Sequence, residues 1–329
     1  MDVVYFTSDL FAGATGISML SLMENNKSFH DIHFYVFEDG VTEANKSHLK
    51  KSVEEDYKRK LTFLKMPMAE ECLDYKFKTK YYMGRTYLRL CLDKYLPETV
   101  EKVLCLDSDT LILGDLSDIW NIDLGNNILA GVADCLNVKA YSYQFGLKED
   151  NIYINVGMSI IDVKKWREEK LTDVAKAFIR EKNGTVFFVE QTMMNYICRN
   201  RILRLPLNYN CYTLLYAFSY DELLKMRKPN YFYTREEVEA AKADPKLIHF
   251  TRNFFMMSRP WIKGCDHSMT SEYQKYKAMS YWTELEEDRR TRKEKAKAAF
   301  WHSMPRWFMI RLVNFLYNTI RPKLIWKNA

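Results

Sequence analysis

Residues 102–113, Lys-Val-Leu-Cys-Leu-Asp-Ser-Asp-Thr-Leu-Ile-Leu, constrain the fold of this chain more than any other stretch. Val103 to Leu106 is wholly apolar, without the alternation of a half-exposed strand, so it suits a strand covered on both faces. Strands of that kind belong to mainly parallel sheets with helices on either side. Asp107 and Asp109 follow where the chain leaves the sheet, and ligands of open α/β sheets collect beyond the carboxyl ends of strands. A second apolar run, Leu111 to Leu113, comes straight after, leaving two charges at a seam between buried segments. An exposed turn whose Asp side chains cap backbone N–H groups would use the same residue types. The apolar flanks favour a divalent cation held through hard oxygen ligands, a cation that can itself engage a diphosphate.

The preceding residues supply the helices and strands such a sheet needs. Val3 to Phe6 reads as a first strand ending at Thr7-Ser8-Asp9, with a helix from about Gly13 through Leu22. Ile32 to Phe37 reads as a second strand, stopped by the turn signal Glu38-Asp39-Gly40. Thr42-x-x-Asn45 opens a charged amphipathic helix through Val53, and Leu61 to Leu64 is a third strand. Strand and helix in alternation predict a doubly wound α/β sheet whose first strand ends on the same edge as Asp107 and Asp109. Thr7 and Asp9 would then face a nucleoside; helix N-capping is the competing use of both.

Further polar residues stand at the ends of apolar runs. Arg89 lies among apolar neighbours on a helix expected from about Gly84 to Lys94, where an Arg pairs with a carboxylate such as Asp107. Ile128 to Val132 is a strand running to Asp134. Asn155, before the small Gly157, can offer an amide to hydroxyls, or mark a β-bulge. Glu190 and Gln191 open a helix, where acidic residues are also favoured by the dipole. His249 ends an apolar run as Asp107 does; it is either a structural His or a third ligand to the metal.

Hydrophobic residues make up 47% of the 329, enough for a sizeable core and too many for wholesale disorder. Seven cysteines without CxxC or zinc spacing, one of them inside the key strand, suggest reduced thiols and a cytoplasmic location. No signal peptide and no membrane-spanning run is expected. The net charge of +6 sits in the tail: from Glu286 onward eleven Lys/Arg face four Asp/Glu, and the preceding 285 residues sum to −1. Nucleic-acid binding by the body is therefore unsupported. Glu284 to Lys297 is nearly all charged, and residues 300–326 interleave Trp, Phe and Leu with Arg and Lys, as an amphipathic helix lying on an anionic membrane surface would. A helix packed on the body is the competing reading. The expected units are a catalytic domain, 1–265, and a charged linker with a basic-aromatic helical tail, 266–329.

Taken as an ordered set, Val3–Ala12, Thr86–Leu92, Lys102–Ile112, Tyr153–Trp166, Glu190–Asn195 and His249–Trp261 resemble family 8 glycosyltransferases of the bacterial lipopolysaccharide or capsule type. The resemblance covers about residues 2–265. It implies a GT-A fold, a UDP-hexose donor (UDP-glucose or UDP-galactose), Mn²⁺ or Mg²⁺, retention of configuration and a glycan or glycolipid acceptor. It further implies that Asp107, Asp109 and His249 hold the metal. Thr7, Ser8, Asp9 and Phe11 would line the uridine pocket, with Ser108 beside the metal. Arg89, Asp107, Asn155, Val156, Glu190 and Gln191 would surround the donor sugar, Asp134 and Gln191 would meet the acceptor, and Arg259 the diphosphate. Ser8 stands where many relatives carry Asp, Phe11 where Tyr is usual, and Arg259 where Lys is usual. The segment from His249 to Arg259 is also longer than typical. With the tail, this implies peripheral attachment to the inner face of the plasma membrane. Two other classes share parts of the pattern: a haloacid-dehalogenase-type phosphatase, which also places Asp-x-Asp after a strand, and a degenerate sugar-nucleotide-binding adaptor docked on membrane by the tail.

Overall fold

A computed structural model describes residues 1–76, 86–184, 186–253 and 256–326. In chain order its strands are β1 (Asp2–Ser8), β2 (His33–Asp39), β3 (Lys60–Lys65), β4 (Lys102–Leu106), β5 (Thr110–Ile112), β6 (Leu129–Ala133), β7 (Ile154–Asp162), β8 (Ile202–Arg204), β9 (Cys211–Tyr212) and β10 (Leu247–His249). Seven form one sheet in the order β3-β2-β1-β4-β7-β6-β8, and β5-β10-β9 form a small second sheet. All neighbours in the large sheet are parallel except those of β7, which runs antiparallel to β4 and β6. The apolar run Val103–Leu106 is buried along its length at the centre of that sheet, as a strand covered on both faces must be.

The helix Ala12–Asn25 covers one face and buries nearly all of its residues. Its glycines have a steric cause: a Cβ on Gly16 would come within 2.2 Å of the Trp282 ring, which lies flat across this turn and donates from Nε1 to Asn45. Thr42 caps the next helix, Glu43–Lys50, by accepting from the Asn45 N–H, and the chain continues in a wider turn over Lys51–Asp56. The helix expected from Gly84 to Lys94 is shorter and tighter. Gly84 and Arg85 lie outside the described residues, Thr86–Cys91 forms a 3-10 helix, and only Leu92–Tyr95 is α-helical. The tighter winding suits a segment that turns Tyr87, Leu88, Leu90 and Cys91 all inward, and a 3.6-residue period does not describe it.

Residues from both sides of position 265 share the main core: Tyr273, Met309, Ile310 and Val313 pack with Leu223, Met226 and Trp261. The tail helix Arg306–Phe315 is docked by that apolar face, by Arg306 on the Glu222 carboxylate (2.6 and 2.7 Å) and by Asn314 on the Lys225 carbonyl. Its other side leaves Trp307, Phe308 and Phe315 exposed, Trp307 by 61%. Among the described residues no helix is long and apolar enough to cross a membrane, and all seven cysteines are free thiols.

Candidate active site and metal centre

β1 and β4 pair with Val3 opposite Leu104, so Thr7–Asp9 and Asp107–Asp109 leave the sheet at one edge. After Leu106 the chain turns, with the Thr110 hydroxyl donating to the Asp107 carbonyl (2.8 Å), and enters β5. β5 pairs antiparallel with β10, placing His249 opposite Thr110. That long-range pairing assembles the centre. His249 Nε2 lies 3.4 Å from Asp107 Oδ2 and 3.2 Å from Asp109 Oδ1. Among the described residues this is the one cluster of three such side chains whose ligand atoms all lie within 4.8 Å of one another.

Buried hydroxyls brace the acidic turn from behind. Thr15 Oγ1 sits 2.8 Å from Thr7 Oγ1 and 2.9 Å from Ser108 Oγ, and Ser108 donates to the Phe6 carbonyl. Thr7 and Ser108 therefore point into the body and hold the backbone on which the two carboxylates stand. On the open side Gly157 makes room. Its carbonyl accepts from the Asp107 N–H (2.8 Å), and a Cβ there would lie 2.0 Å from His249 Cε1 and 2.8 Å from Asp107 Oδ2.

Asn210 orients the imidazole. Its Nδ2 donates to Asn155 Oδ1 (3.1 Å), an oxygen that also accepts from the Gly157 N–H, so Asn210 Oδ1 is the atom facing His249 Nδ1 at 3.2 Å. An amide oxygen only accepts, so Nδ1 carries a proton, and Nε2 faces the carboxylates, donating to them while the ring is charged and free to become a ligand once a cation displaces its proton.

Two arginines flank the acids. Arg89, almost fully buried, donates to Asp107 Oδ1 (2.6 Å) and Cys105 Sγ and approaches Glu190 at 4.0 Å. Arg259 pairs with Asp109 and donates to the Phe250 carbonyl. Burial opposes charge on Asp107, but Arg89 and His249 beside it hold its carboxyl well below the usual range. Burial opposes it on Asp109 too, and there Arg259 and His249 keep the carboxylate ionised. For His249, burial works against protonation, yet the two carboxylates push it up to about 9. Two ionised carboxylates, Asp109 largely buried and Asp107 partly exposed, attract a divalent cation, and two carboxylate oxygens with one imidazole suit one. The gap that a Cβ at Gly157 would fill, and the tautomer imposed by Asn210, both fit that use.

On the neighbouring strands a second group converges. Gln191 donates from Nε2 to Asp134 Oδ2 (3.1 Å) and accepts on Oε1 from the Val156 N–H, and Asn155 Nδ2 faces the same Asp134 oxygen at 3.5 Å. A cavity of about 830 Å³ opens beside these groups, lined by Phe11, Asp134, Asn155 and Arg259 and roofed by tail residues. Phe11 meets Trp261 edge to face there. Asp9 is turned elsewhere: its carboxylate accepts from the Thr42 N–H and Asn45 Nδ2, hydrogen bonds that hold it below the ordinary carboxylate range. Ser8 ends β1 half-buried. Thus Arg89, Asp107, Asp109, Asn155, Gln191, His249 and Arg259 come together as the sequence suggests. Thr7 and Ser108 support from within, and Asp9 accepts from Thr42 and Asn45 at the start of the next helix. Asn210 was visible only as a loop residue, because its role arises from β9 pairing with β10 across a long separation.

The model of glycosyl transferase family 8 matches residues 2–263. The chain belongs to that family. It is 25% identical over 295 residues to general stress protein A of Bacillus subtilis strain 168, spanning 87% of this chain and 96% of that protein. It is also 25% identical over 276 residues to lipopolysaccharide 1,2-glucosyltransferase of Escherichia coli K12, spanning 83% and 76%. Its fold matches that of the galactosyltransferase LgtC, solved with donor and acceptor sugar analogues, at a TM-score of 0.67 with 19% identity over 90% of this chain and all of that one. This family 8 member is a glycosyltransferase with the GT-A fold, and the phosphatase reading of its Asp-x-Asp is set aside.

Proposed function

We propose that this family 8 enzyme transfers glucose or galactose from its UDP-sugar to a cell-surface glycan or glycolipid with retention of configuration. The single observation that carries the reading is the convergence of Asp107, Asp109 and the Asn210-oriented His249 in a chain of this family. These three would hold Mn²⁺, or Mg²⁺ in its place; when bound, the ion supplies positive charge to the leaving diphosphate. Arg259, over the Phe11 and Trp261 rings, is placed to meet the same phosphates, and Phe11 offers the face on which uracil would lie.

Arg89, locked between Asp107 and Glu190, orders the donor-sugar side. Gln191 has both ends of its amide engaged and carries no charge, so it is a poor nucleophile; its place is to fix Asp134 and the sugar. Attack on the face from which UDP departs follows, the acceptor hydroxyl giving its proton to the departing phosphate oxygen, with Glu190 the alternative nucleophile. Asp134 would receive the acceptor hydroxyl at the cavity mouth. Residues 1–265 form the catalytic unit in this reading. The exposed aromatic and basic face of residues 300–326 attaches it to the cytoplasmic side of the plasma membrane; the Leu324, Ile325 and Trp326 side chains and Lys327 lie outside what is described.

Release of UDP from UDP-glucose and UDP-galactose with Mn²⁺ and no acceptor tests the assignment. Asp109→Ala is expected to abolish Mn²⁺-dependent UDP binding by calorimetry together with turnover. Full activity with the metal chelated would overturn it, and UDP binding without turnover of any sugar nucleotide would favour the adaptor.

A further inference from the structure

At the end of the large cavity that Asp134 shares, two guanidinium groups lie against one ring. Arg227 stacks on Tyr317 with its Cζ 3.8 Å from the ring centroid, and Arg321 lies 4.6 Å from the same centroid while also covering Phe187 at 4.4 Å. Tyr317 and Arg321 come from the tail, Arg227 from the body helix Tyr220–Arg227, and all three line the cavity with Asp134. Arg227 Nε is buried without a hydrogen-bond partner, and neither guanidinium pairs with a carboxylate among the described residues. Of the acidic linker side chains that reach the cavity, Asp288 is engaged by Arg290 and Lys295, Glu294 by Arg252 and Glu287 by Lys263, while Glu286 also lines it. Asp134 is tied by the Gln191 and Asn155 amides.

A guanidinium stacked by its face presents its N–H donors along the edge, Arg227 with its Nε still unpartnered, and two such edges in a recessed wall match an oxyanion. Arg227, whose Nε is buried and unpartnered, and the half-buried Arg321 share the field of one carboxylate, Asp134, so positive charge is in excess at this end and an anionic ligand relieves it. On the proposed transferase reading, we infer that this end of the cavity binds a phosphate or carboxylate carried by the acceptor, so that the acceptor is an acidic glycan, and that the tail supplies half of its anion site.

The test uses the full chain saturated with Mn²⁺ and UDP, titrated calorimetrically with glucose 6-phosphate, glucuronate, glucose and inorganic phosphate. Glucose 6-phosphate or glucuronate is expected to bind at least tenfold tighter than both glucose and inorganic phosphate, and whichever of the two is tighter identifies the anion. That advantage should shrink with added NaCl and vanish in Arg321→Gln and Arg227→Gln. Equal affinity for glucose would overturn charge recognition, and equal affinity for inorganic phosphate would overturn an acceptor site. Because undocking the tail could mimic loss of the anion site, Arg321→Gln is also checked by limited proteolysis of the linker; the salt dependence of the unaltered protein stands without any variant. Failure of the unaltered protein to bind UDP with Mn²⁺ would instead count against the transferase reading.

Discussion

Gly157 and Asn210 set the precision of the centre without contributing a ligand. Adding one methyl at Gly157 drives it into His249 Cε1, and neither the ring, held by Asn210, nor the strand can yield cheaply. Gly157→Ala is therefore expected to weaken Mn²⁺ binding by about 100-fold or more and to cost about 1–3 kcal/mol in stability, read by calorimetry and thermal unfolding. Asn210→Ala empties a buried polar position and frees the tautomer, so a loss of about 10–100-fold in metal affinity is expected, with a fall in Tm corresponding to about 1–3 kcal/mol for the buried groups left unpaired. At this scale the sequence was legible where a polar residue ended an apolar run: Asp107, Asp109, Asp134 and His249 announced themselves. It was opaque where the role depends on a partner far along the chain. Nothing local to Asn210 marks it as the residue facing His249, and nothing local to Asp9 marks Thr42 and Asn45 as its donors.

Elements were legible in proportion to how far periodicity governs them. The buried strands and the capped helices formed where apolar runs and turn residues placed them, because burial on both faces admits few alternatives. The 3-10 segment over Thr86–Cys91 escaped because its winding follows from packing four side chains inward, not from an amphipathic period. The tail helix Arg306–Phe315 shows the opposite ambiguity: its pattern suited a membrane surface or a protein surface, and its two faces differ. Its clamp makes a pH prediction. Arg306 on Glu222 holds that carboxyl down to about 2, so the pair's contribution is complete above the ordinary value near 4.5 and is lost as pH falls through about 2. The Tm difference between the unaltered protein and Glu222→Gln, corresponding to about 1 kcal/mol or less for a partly exposed pair, should be constant from pH 7 to 5. It should close as the pH approaches 2; a gap that widened on acidification would refute the clamp.

At the scale of the whole molecule, the tail turns two different faces outward and inward on one short segment. Its buried side completes the core and roofs the cavity, while Phe300, Trp307, Phe308 and Phe315 stay exposed among Arg and Lys. Vesicles containing anionic lipid should bind the protein and neutral vesicles should not. Trp307→Ser with Phe308→Ser should lower the bound fraction at least fivefold in a flotation assay without altering UDP binding, since both rings are exposed and neither lines the cavity. Retention of full vesicle binding by this variant would remove the membrane from the reading.

Since Tyr317 and Arg321 face inward from the same segment that carries those outward rings, trimming the chain after residue 283 to ease handling would do more than remove an exposed aromatic face. It would unroof the chamber proposed for the acceptor, and a shortened enzyme that still split UDP-sugars would then misreport which glycans the intact one prefers.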